Sequence, residues 1–206
     1  YFASLPDIAT AREKSSEKQG AIKKLSLSWK GNLTQWRTLQ LGLLFLGVGY
    51  FISLTFQQTL FASDFGLSLV PGWRDALFPA YHIVSSLQAG TALLTVSLFL
   101  LRQWGGLKDY IGLDTFKGLG RLLLVLTLLW FYFWWSSFIV LWYGRRPEEQ
   151  LLLQLFVTGP NRPLFSLALS LNFILPFLLL LWSPIRKSFA GPVIVSVFIL
   201  FGTLFD

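Results

Sequence analysis

Residues 122–143 read LLLVLTLLWFYFWWSSFIVLWY, an unbroken run without Lys, Arg, Asp or Glu. Lipid offers the backbone no hydrogen-bond partners, so a segment this long and apolar has to close its N–H and C=O groups on itself as a helix. At about 1.5 Å rise per residue it crosses a hydrocarbon core of about 30 Å. Working outward, Leu39–Phe61 and Phe78–Leu101 are equally free of these charges, Pro163–Trp182 carries Pro176 within it, and Phe189–Phe205 is shorter and stops at Asp206. The sequence therefore reads as all-α, a polytopic integral membrane helix bundle of about five spans. A polar, basic arm over residues 1–38 precedes it. Pro176 has no N–H and should kink its helix.

Composition agrees. Charged residues make up 13% of the chain, against about 25% in a soluble domain, and the mean hydropathy is +0.60. The net charge of +7 is consequently not a nucleic-acid signal. Of the 17 Lys and Arg, all but Arg74, Arg145, Arg146 and Arg162 fall in the arm or in the connections on its side of the bundle. By the positive-inside rule, residues 1–38 should be cytoplasmic and the loops around Trp73 and Pro147 external. The arm reads as a solvated loop, with a surface helix over Pro6–Lys24 as the alternative. There is no Cys, no Met and one His. Iron–sulfur ligation and bis-His or His/Met haem ligation are thereby excluded for this chain. No zinc site, hydrolytic triad or phosphate loop is visible, so no metal is expected. Residues 1–10 lack the pattern of a signal peptide.

Polar groups gather at the external edge. Gln57 and Gln58 lie near the outer end of the first span with Asp64 just beyond; Arg74 and Asp75 precede the second span, and Tyr81 and His82 open it. A quinol site needs hydrogen-bond partners for both ring oxygens, a group that accepts protons, and an apolar slot. Asp64 and His82 can serve as proton acceptors, with Gln58 and Tyr81 orienting the ring. The competing reading has Asp64, Arg74 and Asp75 in interfacial ion pairs and His82 snorkelling to the headgroups. Trp73, after the Pro71–Gly72 turn, anchors the segment at headgroup level. Arg145, Arg146, Glu148 and Glu149 read as a docking surface for a soluble partner. The rings at 130–135 cover every helix face and serve either helix packing or a cofactor platform.

The segments YFASLPDIATARE, SWKGNLTQWR, SDFGLSLVPGWRDALFPAY, WFYFWWSSFIVLWYGRRPEEQ and NFILPFLLLL together resemble the NrfD/polysulfide-reductase membrane-subunit family. They are most similar to the two large NrfD-like subunits of bacterial alternative complex III. The resemblance implies a non-haem subunit of a bacterial inner-membrane complex, docked to other membrane subunits and to periplasmic iron–sulfur or haem-bearing subunits. Its cofactor would be a quinone, menaquinone or ubiquinone. Asp64 matches the acidic residue of the family's external stretch. Gln58 and Arg74 stand where quinol-binding members carry histidines, which favours the structural or proton-conducting type. His82 stands where the family has an apolar ring. The family is longer before Tyr1, so the chain resembles the second half of such a subunit. The expected function is thus that of a quinol-linked electron-transfer subunit contributing to a quinone or proton pathway. A purely structural membrane anchor and half of a transporter are the alternatives.

Overall fold

The computed structural model describes residues 2–14, 29–69, 75–144, 150, 153–154 and 157–206. Among them there is no strand, and the chain is an all-α bundle. The helices are α1 (Leu5–Lys14), α2 (Leu33–Phe65), α3 (Phe78–Trp104), α4 (Leu113–Gly144), α5 (Arg162–Leu169), α6 (Leu175–Leu181), α7 (Ser183–Arg186) and α8 (Ala190–Gly202). A π-helical segment, Ser170–Ile174, joins α5 to α6. Four helical stretches are long and apolar enough to cross a membrane: α2 with the turn that follows it, α3, α4, and the continuous run Arg162–Leu181. The apolar α8 is shorter. This is a membrane protein, and its exposed surface agrees: Phe45, Leu44 and Tyr50 are 74%, 62% and 69% exposed, an arrangement lipid tolerates and water does not.

The chain divides into two units, Tyr1–Gln57 and Gln58–Asp206, with the boundary inside α2. In the first, Leu5 and Ala9 of α1 are buried. The Trp29 and Trp36 rings meet edge to face at 5.3 Å. The Lys30 N–H donates to Gln35 Oε1 at 2.9 Å, closing the chain onto the first turns of α2. Within residues 1–38, the stretch read as a solvated loop therefore contains helix α1.

The second unit packs α3, α4, α8 and the π-interrupted helix around a small aliphatic core: Ala92, Leu123, Leu180, Val195 and Ile199, all fully buried. The helix starts are written locally. Pro79 and Pro163 sit in the first turns of α3 and α5, where a missing N–H costs nothing. The Asp75 carboxylate accepts the Leu77 N–H at 2.8 Å just before α3. After α3, Gly106 takes φ +70°, a left-handed turn that suits glycine. Ser188 Oγ accepts the Gly191 N–H at 2.9 Å and so caps α8.

At Pro176, where the sequence suggests a kink, the helix carries a π-helical segment just before the proline. Proline offers no N–H to the carbonyl at i−4, here Asn172. The Leu175 N–H bonds back to Ser170 C=O, the wider i→i−5 spacing of a π-bulge. Asn172 C=O is left to accept from the side chain of Gln88, at 3.0 Å. The helical heptad on α3 makes this possible: Tyr81, Ser85, Gln88, Ala92 and Thr95 lie on one face. Gln88, Ala92 and Thr95 on that face are fully buried.

Candidate functional site

The site lies beside the turn that follows α8. At about 1.5 Å per residue the 13 residues of α8 span about 20 Å, and the helix ends at Gly202 beside Asn172. Beyond that level α4 continues from Trp130 to Gly144, about 20 Å more. Between α4 and α5 is a cavity of about 580 Å³. Its walls are Trp134, Ser137, Phe138 and Leu141 from α4, and Asn161, Leu164, Phe165 and Ala168 at and within α5. Phe78, Tyr81, Phe205 and Asp206 line it too, and Asp75 and the buried Leu153 complete the lining.

The turn after α8, held by Thr203 N–H to Ile199 C=O and Phe205 N–H to Gly202 C=O, delivers the Asp206 carboxylate into this space. Asp206 accepts the Tyr81 hydroxyl, the Ser85 hydroxyl at 2.9 Å and the indole N–H of Trp130 at 3.3 Å. Trp130 is fully buried, and its ring lies 5.7 Å from that of Tyr81. Three donors from two helices converge on one carboxylate at the inner end of an apolar cavity. Such an arrangement accepts or relays a proton.

One helical turn further in lies a second polar layer, fully buried. Gln88 Nε2 bonds Thr127 Oγ1 at 3.1 Å as well as Asn172 C=O. Gln88 Oε1 and both amide atoms of Asn172 have no partner among the described residues. Ser85 and Gln88, at i and i+3 on α3, link the two layers along one helix face.

The aromatic run separates by face. Trp130 is buried, Tyr132 is 61% exposed and Trp135 is 45% exposed. Phe131 stacks on Phe173 of the π-segment at 3.9 Å. Trp134, stacked on Phe138 at 5.7 Å and tilted against Phe165 at 5.5 Å, forms the cavity wall. One side of the run thus packs helices, one meets the surroundings, and one builds a flat-walled slot.

Of the residues singled out from sequence, Asp75 and Tyr81 line the cavity and Asp64, Gln58 and His82 do not. The sequence reading ended the first span at Phe61 and placed Asp64 just beyond it, in the external interfacial stretch. The helix instead runs on through Phe65, and Asp64 stays exposed on it, with its C=O accepting the Ser68 hydroxyl. Gln58 is half-buried on the same helix. His82, one residue past Tyr81 and so about 100° around α3, packs between the rings of Phe61 and Phe78 at 5.9 and 6.2 Å. Trp73, Arg74, Arg145, Arg146, Glu148 and Glu149 lie outside the described residues. Among the described residues no group of His, Cys, Asp and Glu could hold a metal ion. Sequence reasoning missed Asp206, Ser85, Gln88, Thr127 and Asn172. The available signals were the lone amides in otherwise apolar spans and the i−4 relation of Asn172 to Pro176. No family model matches the chain, and no curated protein matches it.

Proposed function

We propose that the chain is a non-haem membrane subunit of a quinol-linked electron-transfer complex, and that the cavity beyond α8 receives the quinone ring. The observation carrying this reading is the cavity itself. Its volume lies within the range of about 300–1,000 Å³ typical of small-molecule sites. Its Trp134, Phe138 and Phe165 walls suit a flat ring, and Tyr81 with Asp206 stands at its inner end. On this reading Asp206, rather than Asp64, accepts a proton released by the quinol, with the Tyr81 hydroxyl as intermediary. The electrons leave to a redox centre on another subunit. The buried layer of Gln88, Thr127 and Asn172 extends the polar path inward. Resemblance to NrfD-like subunits, the menaquinone or ubiquinone class of ligand and an inner-membrane location belong to the same proposal.

A photoreactive azidoquinone added to membranes carrying the assembled complex tests it. Cross-links are expected within residues 131–141 and 161–168, and Asp206→Asn and Trp134→Ala should each reduce them at least about tenfold, the loss of about 1.4 kcal/mol of binding. Cross-links around Asp64 and His82 instead, unchanged by those substitutions, would remove the cavity from the mechanism. No cross-link in an intact complex would favour the anchor reading, which has its own support in the apolar surface displayed along α2.

A further inference from the structure

At the end of the second unit opposite the cavity, cations outnumber anions: Arg102, Lys108, Lys117, Arg121, Arg186 and Lys187 stand against Asp109 and Asp114. Arg102 lies in the last turn of α3, Arg121 in the early turns of α4, and Arg186 and Lys187 follow α6. The Arg102 guanidinium carbon sits 4.4 Å from the centroid of Phe189, a cation–π distance. Phe189 in turn meets buried Phe116 edge-on at 5.5 Å. One turn along α4, Gly120 is so close to Arg186 that an added Cβ would lie 3.2 Å from its Cγ. Arg186 is held there by donating Nη1–H to Leu180 C=O at 3.1 Å. The Arg102 guanidinium is thus placed by the Phe189 ring and that of Arg186 by the Leu180 carbonyl.

Their charge is not neutralised. The ion pair among the described residues is Lys117–Asp114 at 2.9 Å, on the exposed first turns of α4. Arg102 Nε is buried with no acceptor among the described residues. Guanidinium forks held by packing, with donors to spare, fit phosphate oxygens. The flanking surface is apolar and aromatic: Trp104, Trp182 and Leu181 are 80%, 68% and 57% exposed. Indole rings at this position mark the membrane interface. A phosphate carried on acyl chains satisfies both the cations and the surface beside them.

The geometry points to a binding site for the phosphate headgroup of an anionic glycerophospholipid, with Arg102 and Arg186 as its donors. It is independent of the quinone proposal. The test uses the purified protein in neutral detergent, with dioleoylphosphatidylglycerol, dioleoylphosphatidylcholine or inorganic phosphate added in turn, and native mass spectrometry and thermal unfolding as readouts. Phosphatidylglycerol should bind saturably and raise Tm, and the other two should not. Arg102→Gln and Arg186→Gln should each weaken that binding about fivefold, the effect of one basic residue at a lipid surface. Arg162→Gln, at the cavity end, should leave it unchanged. An equal response to phosphatidylcholine overturns the site. So does the same Tm rise with inorganic phosphate alone, or unaltered binding by the arginine variants in folded protein.

Discussion

Gln88 is a side chain doing the work of a backbone N–H. Its Nε2 occupies the carbonyl that Pro176 leaves open, so the two residues should be energetically coupled although they lie on different helices. Gln88→Leu should cost about 1–2 kcal/mol, the desolvation of a stranded carbonyl and hydroxyl. In a Pro176→Ala background, where residue 176 can again donate to Asn172 C=O, the cost should fall by about half or more. A double-mutant cycle on unfolding in mixed micelles measures this; equal costs in both backgrounds would show that Gln88 serves only Thr127. The lone amides of Gln88 and Asn172 stand out in the sequence, but their meeting depends on a one-residue change of helical register that periodicity does not record. Asp206 was harder still. Read as the stop of a short span, it becomes a site residue only because the turn after Gly202 brings it back across α3 and α4. His82 shows the reverse: its chemistry attracts notice in the sequence, and the fold sets its ring between those of Phe61 and Phe78, away from the cavity lining.

Glycines show which helix faces are committed. A Cβ on Gly202 would lie 2.7 Å from Asn172 Oδ1, and one on Gly191 2.0 Å from Ile185 C=O, whereas at Gly90 nothing lies within 4 Å. Gly90→Ala should therefore be neutral or stabilise by about 0.5–1 kcal/mol through helix propensity. Gly202→Ala should destabilise by about 1–3 kcal/mol, and Gly191→Ala, which meets backbone, by at least as much. Thermal unfolding of the three variants ranks them, and a neutral Gly191→Ala would contradict the close approach. At this scale the sequence was most readable. Uncharged apolar runs announce α3, α4 and the helix bearing Pro176, since lipid permits such a run little else. The ends were less readable: α2 begins at Leu33 and ends at Phe65, because polar residues such as Arg37 and Asp64 continue a helix as readily as they end a span.

Across the molecule, the cavity end and the arginine end of the second unit should lie on opposite sides of the membrane. The absence of Cys makes this simple to check. Asn161→Cys should react with a membrane-impermeant thiol reagent added outside intact cells, and Ser188→Cys only after permeabilisation; the opposite pattern would invert the topology. Helix length has a consequence for the surrounding lipid. α2, with 33 residues, is about 50 Å long and can tilt to fit. α4, with 32 residues, is about 48 Å long, so it too outruns a typical hydrocarbon core and should tilt or carry its ends into the headgroups. Thickness then becomes a variable of the site. In membranes of long-chain lipids the acyl tails should press over the cavity mouth and bury Asp206 more deeply, and in short-chain lipids they should draw back and let water reach it.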